Sequence, residues 1–300
     1  MIIILNKLSQ YFNAYLIISL GFITNNFSSG LRVSTGKLIG NILVILSKKR
    51  RGITFDNISK AYPELNKNEI NIILKNSYQN LGITLIELLY IKKLSNEELK
   101  NNIEYENIEL IEELLSRGKG LLLLSGHYGN WEYLAYSAGI FTGKQLNVIV
   151  KNQKNKILNK ILNQYRSKSG NNLIPMNKAA LEIIRVIKNK GMVALLADQA
   201  ASKTKDIFVD FFGRPAITYE APAKLALKFD IPIIMGFAER QGNNKYKVKL
   251  HEIKYDDLKN NENAVELLTQ RHVKILEDQI KLNPNQWAWQ HNRWKHSVIL

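Results

Sequence analysis

The chain contains no cysteine. That excludes a disulfide framework, a thiolate nucleophile and any cysteine-based metal site. Histidine is scarce, with five in 300 residues, no H-E-x-x-H pattern and no second histidine close to His127, so no metal site is expected. Acids are also short: 26 Asp and Glu face 42 Lys and Arg, a net charge of +16. Such a balance calls for an anionic partner, whether a phospholipid surface, a phosphorylated substrate, an acidic carrier protein or nucleic acid. No apolar run reaches the roughly 18 residues of a spanning helix. Residues 1–5 are cut by Asn6 and Lys7, and residues 15–23 stop at Thr24-Asn25-Asn26. Runs this short favour an interfacial, re-entrant or buried helix. No small-residue cleavage site follows them, so a secretory signal is not expected.

What is present is a globular composition, 45% apolar, sufficient for a large core. The positive charge is uneven. Residues 1–60 carry eight Lys and Arg against Asp56 alone, and residues 141–190 carry eleven against Glu182 alone. The apolar residues 38–46 run into Ser47-Lys48-Lys49-Arg50-Arg51, a pattern suited to anionic headgroups on a cytoplasmic face. Residues 1–54 are therefore expected to form a helical, membrane-apposed arm, and residues 55–300 a single domain.

The most informative stretch is Gly120-Leu-Leu-Leu-Leu-Ser125-Gly126-His127-Tyr128-Gly129-Asn130-Trp131-Glu132. A leucine run bounded by glycines predicts a buried strand, and Trp131, Leu134, Ala135 and Ala138 predict a helix packed on it. His127 then sits at the carboxyl end of a core strand, where open α/β sheets bind their ligands. On one helix, His127 and Glu132 would diverge by about 140°. With Asn130 as N-cap, however, Glu132 falls in the first helical turn and can reach back to the imidazole, a base with its orienter. The spacing alone proves nothing, because His251 with Asp256 and His272 with Glu277 repeat it. Only the first copy has the glycine turn; His251, His272 and His296 are read as structural or solvated.

Strands and helices alternate from there on. Strands are expected at 146–150, 173–176, 192–199, 207–212 and 231–238, with an edge strand at 246–253. Helices are expected at 155–166, 178–189, 221–229 and 262–282, after helical segments at 55–93 and 106–115. The fold class is α/β, a central mixed, largely parallel sheet flanked by helices. Asp198 occupies the same position as His127, at the end of a buried strand.

Several blocks together resemble the lipid A biosynthesis (lauroyl/myristoyl) acyltransferase family. They are Ser125-Gly-His-Tyr-Gly-Asn-Trp-Glu132, Arg166 before Gly170, Asp198-Gln199, Phe211-Phe-Gly-Arg-Pro-Ala216-x-Thr218 and Gln286-Trp-x-Trp289-x-x-x-Arg293-Trp-Lys295. The resemblance implies an enzyme on the cytoplasmic face of a Gram-negative inner membrane. It would carry a fatty acyl chain from an acyl carrier protein thioester, or a coenzyme A thioester, to the hydroxyl of a 3-hydroxyacyl chain on a Kdo-bearing lipid A precursor, with no cofactor. In that scheme His127 is the general base and Glu132 holds its tautomer. Amides near Tyr128 to Asn130 would receive the oxyanion. Arg166 would grip an anionic headgroup, assist the oxyanion or form a structural ion pair, and Asp198 would orient Arg166 or the site loop. Asn130, Lys151, Asn152 and Gln199 are the further candidate supporting residues, and Lys151, Lys154, Lys156 and Lys160 would face substrate phosphates or the acidic carrier. The expected partners are the carrier, anionic membrane lipid and the precursor, not nucleic acid. Trp287, Trp289 and Trp294 suit either an interfacial anchor or a segment docked across the core, the second being preferred. Two departures from the family pattern stand out: Tyr-Glu-Ala-Pro after Thr218 where a glycine is expected, and a short N-terminal apolar stretch. The competing readings are an acyltransferase for glycerol phosphate or a glycolipid, a basic binding protein, and a hydrolase.

Overall fold

A computed structural model describes residues 2–201, 206–242 and 244–295, with the side chains of residues 2–10 and Asn13 outside the description; His296 lies beyond it. The chain opens with four helices, α1 (Ile2–Thr24), α2 (Ser29–Leu46), α3 (Lys48–Ala61) and α4 (Lys67–Tyr90). A capping box starts α4: Asn66 Oδ1 accepts from the Glu69 amide, and the Glu69 carboxylate accepts from the Asn66 amide. Gly36 and Gly40 on α2 face Gly82 on α4. A Cβ on Gly36 would lie 2.5 Å from the Ile83 Cα, and one on Gly82 would collide with the Gly36 carbonyl. Only glycines let two helix backbones approach so closely. The arm boundary expected at residue 54 falls inside α3.

A short helix α5 (Asn96–Asn102) leads to strand β1 (Ile103–Tyr105) and helix α6 (Glu109–Ser116). Then come β2 (Leu121–Ser125), α7 (Trp131–Thr142), β3 (Leu146–Val150), α8 (Lys156–Ser167), β4 (Asn172–Pro175), α9 (Ala179–Lys188) and β5 (Met192–Leu196). The remainder is a hairpin, β6 (Ile207–Phe211) with β7 (Arg214–Thr218), followed by α10 (Ala221–Phe229), β8 (Ile233–Gly242), β9 (Lys245–Glu252) and α11 (Ala264–Leu282).

The seven-stranded sheet runs β1-β9-β8-β2-β5-β3-β4, parallel throughout except for β8 with β9. The α/β class and the mixed, largely parallel sheet are as expected. The leucines of β2 alternate between two cores. Leu122 and Leu124 pack with α9, α10 and α11 on one face, while Leu121 and Leu123 pack with α6, α7 and α8 on the other. Two expectations are corrected. The strand at 246–253 is not an edge, because β1 pairs parallel outside it; three residues are too few to show an alternating pattern. And β5 is not buried along its length: Ala194, Leu195 and Leu196 are each partly exposed, although β5 lies between β2 and β3.

Candidate active site

The helix after β2 covers one face of the sheet, whereas the hairpin and α10 after β5 lie toward the other. Adjacent strands whose connections depart to opposite faces leave a crevice at their carboxyl ends. His127 follows β2 and Asp198 follows β5, so both stand at that crevice. The turn from β2 into α7, which carries His127, is tightly built. A Cβ on Gly126 would approach Leu276 Cδ1 to 2.8 Å, and Gly129, at φ +57°, lies against the Ala238 carbonyl with no room for a side chain. Asn130 caps α7 by accepting the Tyr133 amide at 2.9 Å, and its Nδ2 donates to the buried Glu87 carboxylate at 2.8 Å. Glu87 is itself paired with Arg240 at 2.7 Å.

From the far end of the chain, the Gly129 amide donates to Gln286 O at 3.0 Å and the Ala288 amide to His127 O at 2.9 Å. The tryptophans are therefore a segment docked across the core: Trp287, Trp289 and Trp294 are all buried.

Asp198, only 3% exposed, receives three hydrogen bonds. His127 Nδ1 meets its Oδ1 at 2.8 Å; the His127 amide and the Trp287 indole N–H donate to its Oδ2 at 2.8 and 2.9 Å. An ionised carboxylate on Nδ1 fixes the proton there and leaves the Nε2 lone pair toward the cavity. Burial opposes ionisation of Asp198, but the His127 charge and these donors outweigh it and lower its pKa to about 2. Burial likewise opposes the imidazolium; the Asp198 charge and hydrogen bond, reinforced by Glu132, overcome it and raise the His127 pKa above 6.5.

This geometry corrects three expected roles. Glu132 does not orient His127: its two oxygens are held by Arg166, Nε to Oε2 at 2.8 Å and Nη2 to Oε1 at 2.5 Å. Its position in the first turn of α7 points it toward α8, not back to the turn. Of the two roles expected for Asp198, it holds the site loop, through the His127 amide, and not Arg166; it also orients the imidazole, which was not expected. The amides at Tyr128 to Asn130 are not open to an oxyanion, since they donate to Gly126 O, Gln286 O and Ala238 O at 2.7, 3.0 and 2.9 Å.

The other expected residues divide. Gln199, Lys151 and Arg166 line the same cavity as His127, with Gln199 Nε2 3.5 Å from His127 Nε2. Asn130 acts behind the turn, and Asn152 is exposed and lines nothing. Glu87 and His291 have site roles that the sequence did not single out, and the docked Trp287 gains one through its indole bond to Asp198. His291 lines the cavity, but its Nε2 already accepts the Ala200 amide at 3.0 Å, and burial lowers its pKa to about 4. Among the described residues no three His, Asp or Glu side chains converge as a metal site.

The crevice opens into a cavity of about 1260 Å³ whose wall is mostly aliphatic: Leu123, Leu134, Ala138, Leu146, Val148 and Ile183 are typical. Polar and cationic groups gather near His127 and toward α3, among them Lys49, Arg50, Lys151 and Lys295. Among the described residues these four cations have no carboxylate partner within ion-pair distance, while Glu132 and Asp198 are committed to Arg166 and His127.

Comparison with known proteins finds relatives that are named as acyltransferases. The chain is 21% identical over 196 residues to Lipid A biosynthesis acyltransferase 2 of Shigella flexneri, covering 65% of this chain and 60% of that protein. It is 24% identical over 162 residues to the phosphatidylinositol mannoside acyltransferase of Mycobacterium tuberculosis, covering 51% and 49%. A lipid A biosynthesis acyltransferase of Haemophilus influenzae is 22% identical over 225 residues, covering 72% and 68%. The alignments thus span 49% to 68% of these relatives' length. Residues 5–296, from the first helix through the docked tryptophans, match the family described as bacterial lipid A biosynthesis acyltransferase, and the chain belongs to that family.

Proposed function

We propose that the protein transfers a fatty acyl chain from an acyl carrier protein thioester to the hydroxyl of a 3-hydroxyacyl chain on a Kdo-bearing lipid A precursor. One observation carries this reading: a histidine oriented by a buried aspartate at the rim of a largely aliphatic cavity. The Nε2 lone pair of His127 removes the hydroxyl proton as the oxygen attacks the thioester carbonyl. A tetrahedral oxyanion forms, then collapses with cleavage of the C–S bond, and the imidazolium returns the proton to the departing thiolate. Asp198 stabilises the imidazolium, as the carboxylate of a Ser-His-Asp triad does, with the lipid hydroxyl in place of serine. The oxyanion donors are the Gln199 carboxamide and the Arg166 Nη1 group, which the Glu132 pair leaves over.

The donor chain fills the aliphatic hollow between α7 and β3. Exposed Lys151, Lys154, Lys156 and Lys160 beside it suit an acidic carrier, and Lys49, Arg50 and Lys295 suit acceptor phosphates or carboxylates. The arm holds the enzyme on the cytoplasmic face of the inner membrane. A second reading, a different glycolipid acceptor with the same chemistry, is favoured by the mycobacterial relative, whose name specifies a phosphatidylinositol mannoside.

The test incubates membranes containing the protein with a panel of acyl carrier protein and coenzyme A thioesters and either a lipid A precursor or a mannosylated glycolipid. Product mass is then read. The expected result is one added acyl group on the lipid A precursor, absent with His127→Ala. No mass increase on either acceptor, or full activity in the variant, overturns the proposal.

A further inference from the structure

Consecutive residues of a strand point to opposite faces of its sheet. In β5 the first two residues, Met192 and Val193, are buried, whereas Ala194, Leu195 and Leu196 are all partly exposed. Val148 and Ile149 on neighbouring β3 show the same feature. Both strands lie inside the sheet and both faces carry helices, so access to neighbouring positions requires a hollow on each face. The cavity wall shows both. Leu123, Leu134, Ala138, Leu146, Val148 and Ala194 line it on the α7 face; Leu124, Ile149, Ala179, Ile183, Leu195 and Pro222 line it on the α9 face. The two hollows join round the strand ends, where His127 stands.

A single acyl chain needs one hollow. At about 1260 Å³ the cavity exceeds the ~300–1,000 Å³ typical of a pocket for one drug-sized ligand. We propose that the α9-side hollow is a second alkyl-chain site, which holds an acyl chain of the acceptor lipid while the donor chain fills the α7-side hollow. This rests on the acyl-transfer reading above and adds to it a site for the acceptor's hydrocarbon. The assignment follows from what borders each hollow. On the α9 face, the aliphatic core continues into Leu43, Val44 and Phe55 of the N-terminal helices, and Leu43 and Ile53 line the cavity itself. A chain leaving a lipid surface at the arm therefore reaches this hollow along apolar side chains. On the α7 face the hollow is bounded by β3, and the loop and helix after β3 carry exposed lysines suited to an acidic carrier. Chains entering from the two faces bring the acceptor hydroxyl and the thioester carbonyl to the same imidazole.

The test uses the full chain in vesicles, with lipid A precursors bearing long or short 3-hydroxyacyl chains and a ladder of acyl carrier protein thioesters. In the wild type, acceptor kcat/KM rises roughly fourfold per methylene of the hydroxyacyl chain up to the length of the hollow. Ile183→Trp fills the α9 side and flattens this acceptor dependence at least tenfold, with the donor length preference unshifted. Ala138→Phe fills the α7 side and does the reverse. Ile183→Ala, which adds no bulk to the core, moves the acceptor optimum to a longer chain. Transfer in which the Ile183 variants leave acceptor dependence unmoved, or shift donor preference instead, overturns the second site while the reaction stands. Absence of transfer from every thioester to either precursor in the wild type overturns the acyl-transfer reading, and the site with it.

Discussion

Replacing Asp198 by asparagine keeps the shape of the side chain and removes its charge, which isolates its effect on His127. The base works only when neutral, and Asp198 raises its pKa above 6.5, so wild-type kcat/KM falls as pH drops through that raised value. In Asp198→Asn the acid limb moves to lower pH, and kcat falls on the order of a thousandfold or more because the wrong tautomer is favoured. Rate profiles for the two proteins that superimpose would exclude the pairing. The same carboxylate sets a stability window. Its pKa is depressed from 3.8 to about 2, so its contribution is full above 3.8 and is lost as pH falls toward 2. Glu132 makes a different prediction. Glu132→Gln leaves Arg166 half-paired in a largely buried position and costs about 3 kcal/mol in denaturant unfolding. Glu132→Gln with Arg166→Met recovers most of that stability but not the activity; equal losses in single and double variants would mean the two side chains are uncoupled. At this scale the sequence identified His127 and Asp198 as strand-end residues from glycine and polarity alone. Their pairing was not legible, since 71 residues separate them and the nearer carboxylate, Glu132, satisfies the same spacing rule.

The contact of α2 with α4 depends on three glycines, and that gives an element-scale test. Gly40→Leu places a side chain against the Tyr78 carbonyl and the Gln79 Cα, the latter 2.5 Å from an added Cβ, so α2 must lift away. Thermal unfolding should register about 1–3 kcal/mol of overpacking, with early proteolysis near Asn25. Gly52→Ala, which meets nothing within 4 Å, is the control and should be neutral or slightly stabilising. An unchanged melting curve for Gly40→Leu would remove the close approach. Periodicity revealed most elements because their buried faces are long enough to count: four leucines in β2, an amphipathic stripe in α11. It failed where geometry and not burial defines the element. Phe211-Phe212-Gly213-Arg214 is the tip of a two-residue hairpin, with Phe212 at φ 56° and Gly213 at φ 69°. Such a loop requires positive φ at both positions, usually signalled by Asn-Gly or Asp-Gly. Here the strained Phe212 is held by its amide donating to Glu277 at 2.6 Å, a partner 65 residues away that no local motif announces.

For the whole molecule, part of the net charge of +16 adjoins exposed apolar surface on the N-terminal helices. Leu38, Ile42, Ile45 and Leu46 project from α2 opposite its glycines, exposed by 44–74%, and the run Lys48 to Arg51 follows directly. By length and composition α2 is able to cross a membrane. It is, however, docked through Gly36 and Gly40 along α4, whose Glu87 belongs to the buried ion pair behind the active-site turn. We propose an interfacial placement, with the apolar side chains below the headgroups and the cations among them. Changing Leu38, Ile42 and Ile45 together to serine should weaken sedimentation with vesicles of either charge by roughly a hundredfold. Changing Lys48, Lys49 and Arg51 to glutamine should weaken binding to anionic vesicles by about 1 kcal/mol per residue, and this loss should vanish in high salt. Arg50 is left intact in that set, because its guanidinium donates to Gln290 O at 3.1 Å and ties the basic run to the docked C-terminal segment. Carbonate-resistant retention of the serine variant would instead require a spanning helix. In that case α2 must separate from α4, and the Gly40→Leu variant should be retained as well as the wild type.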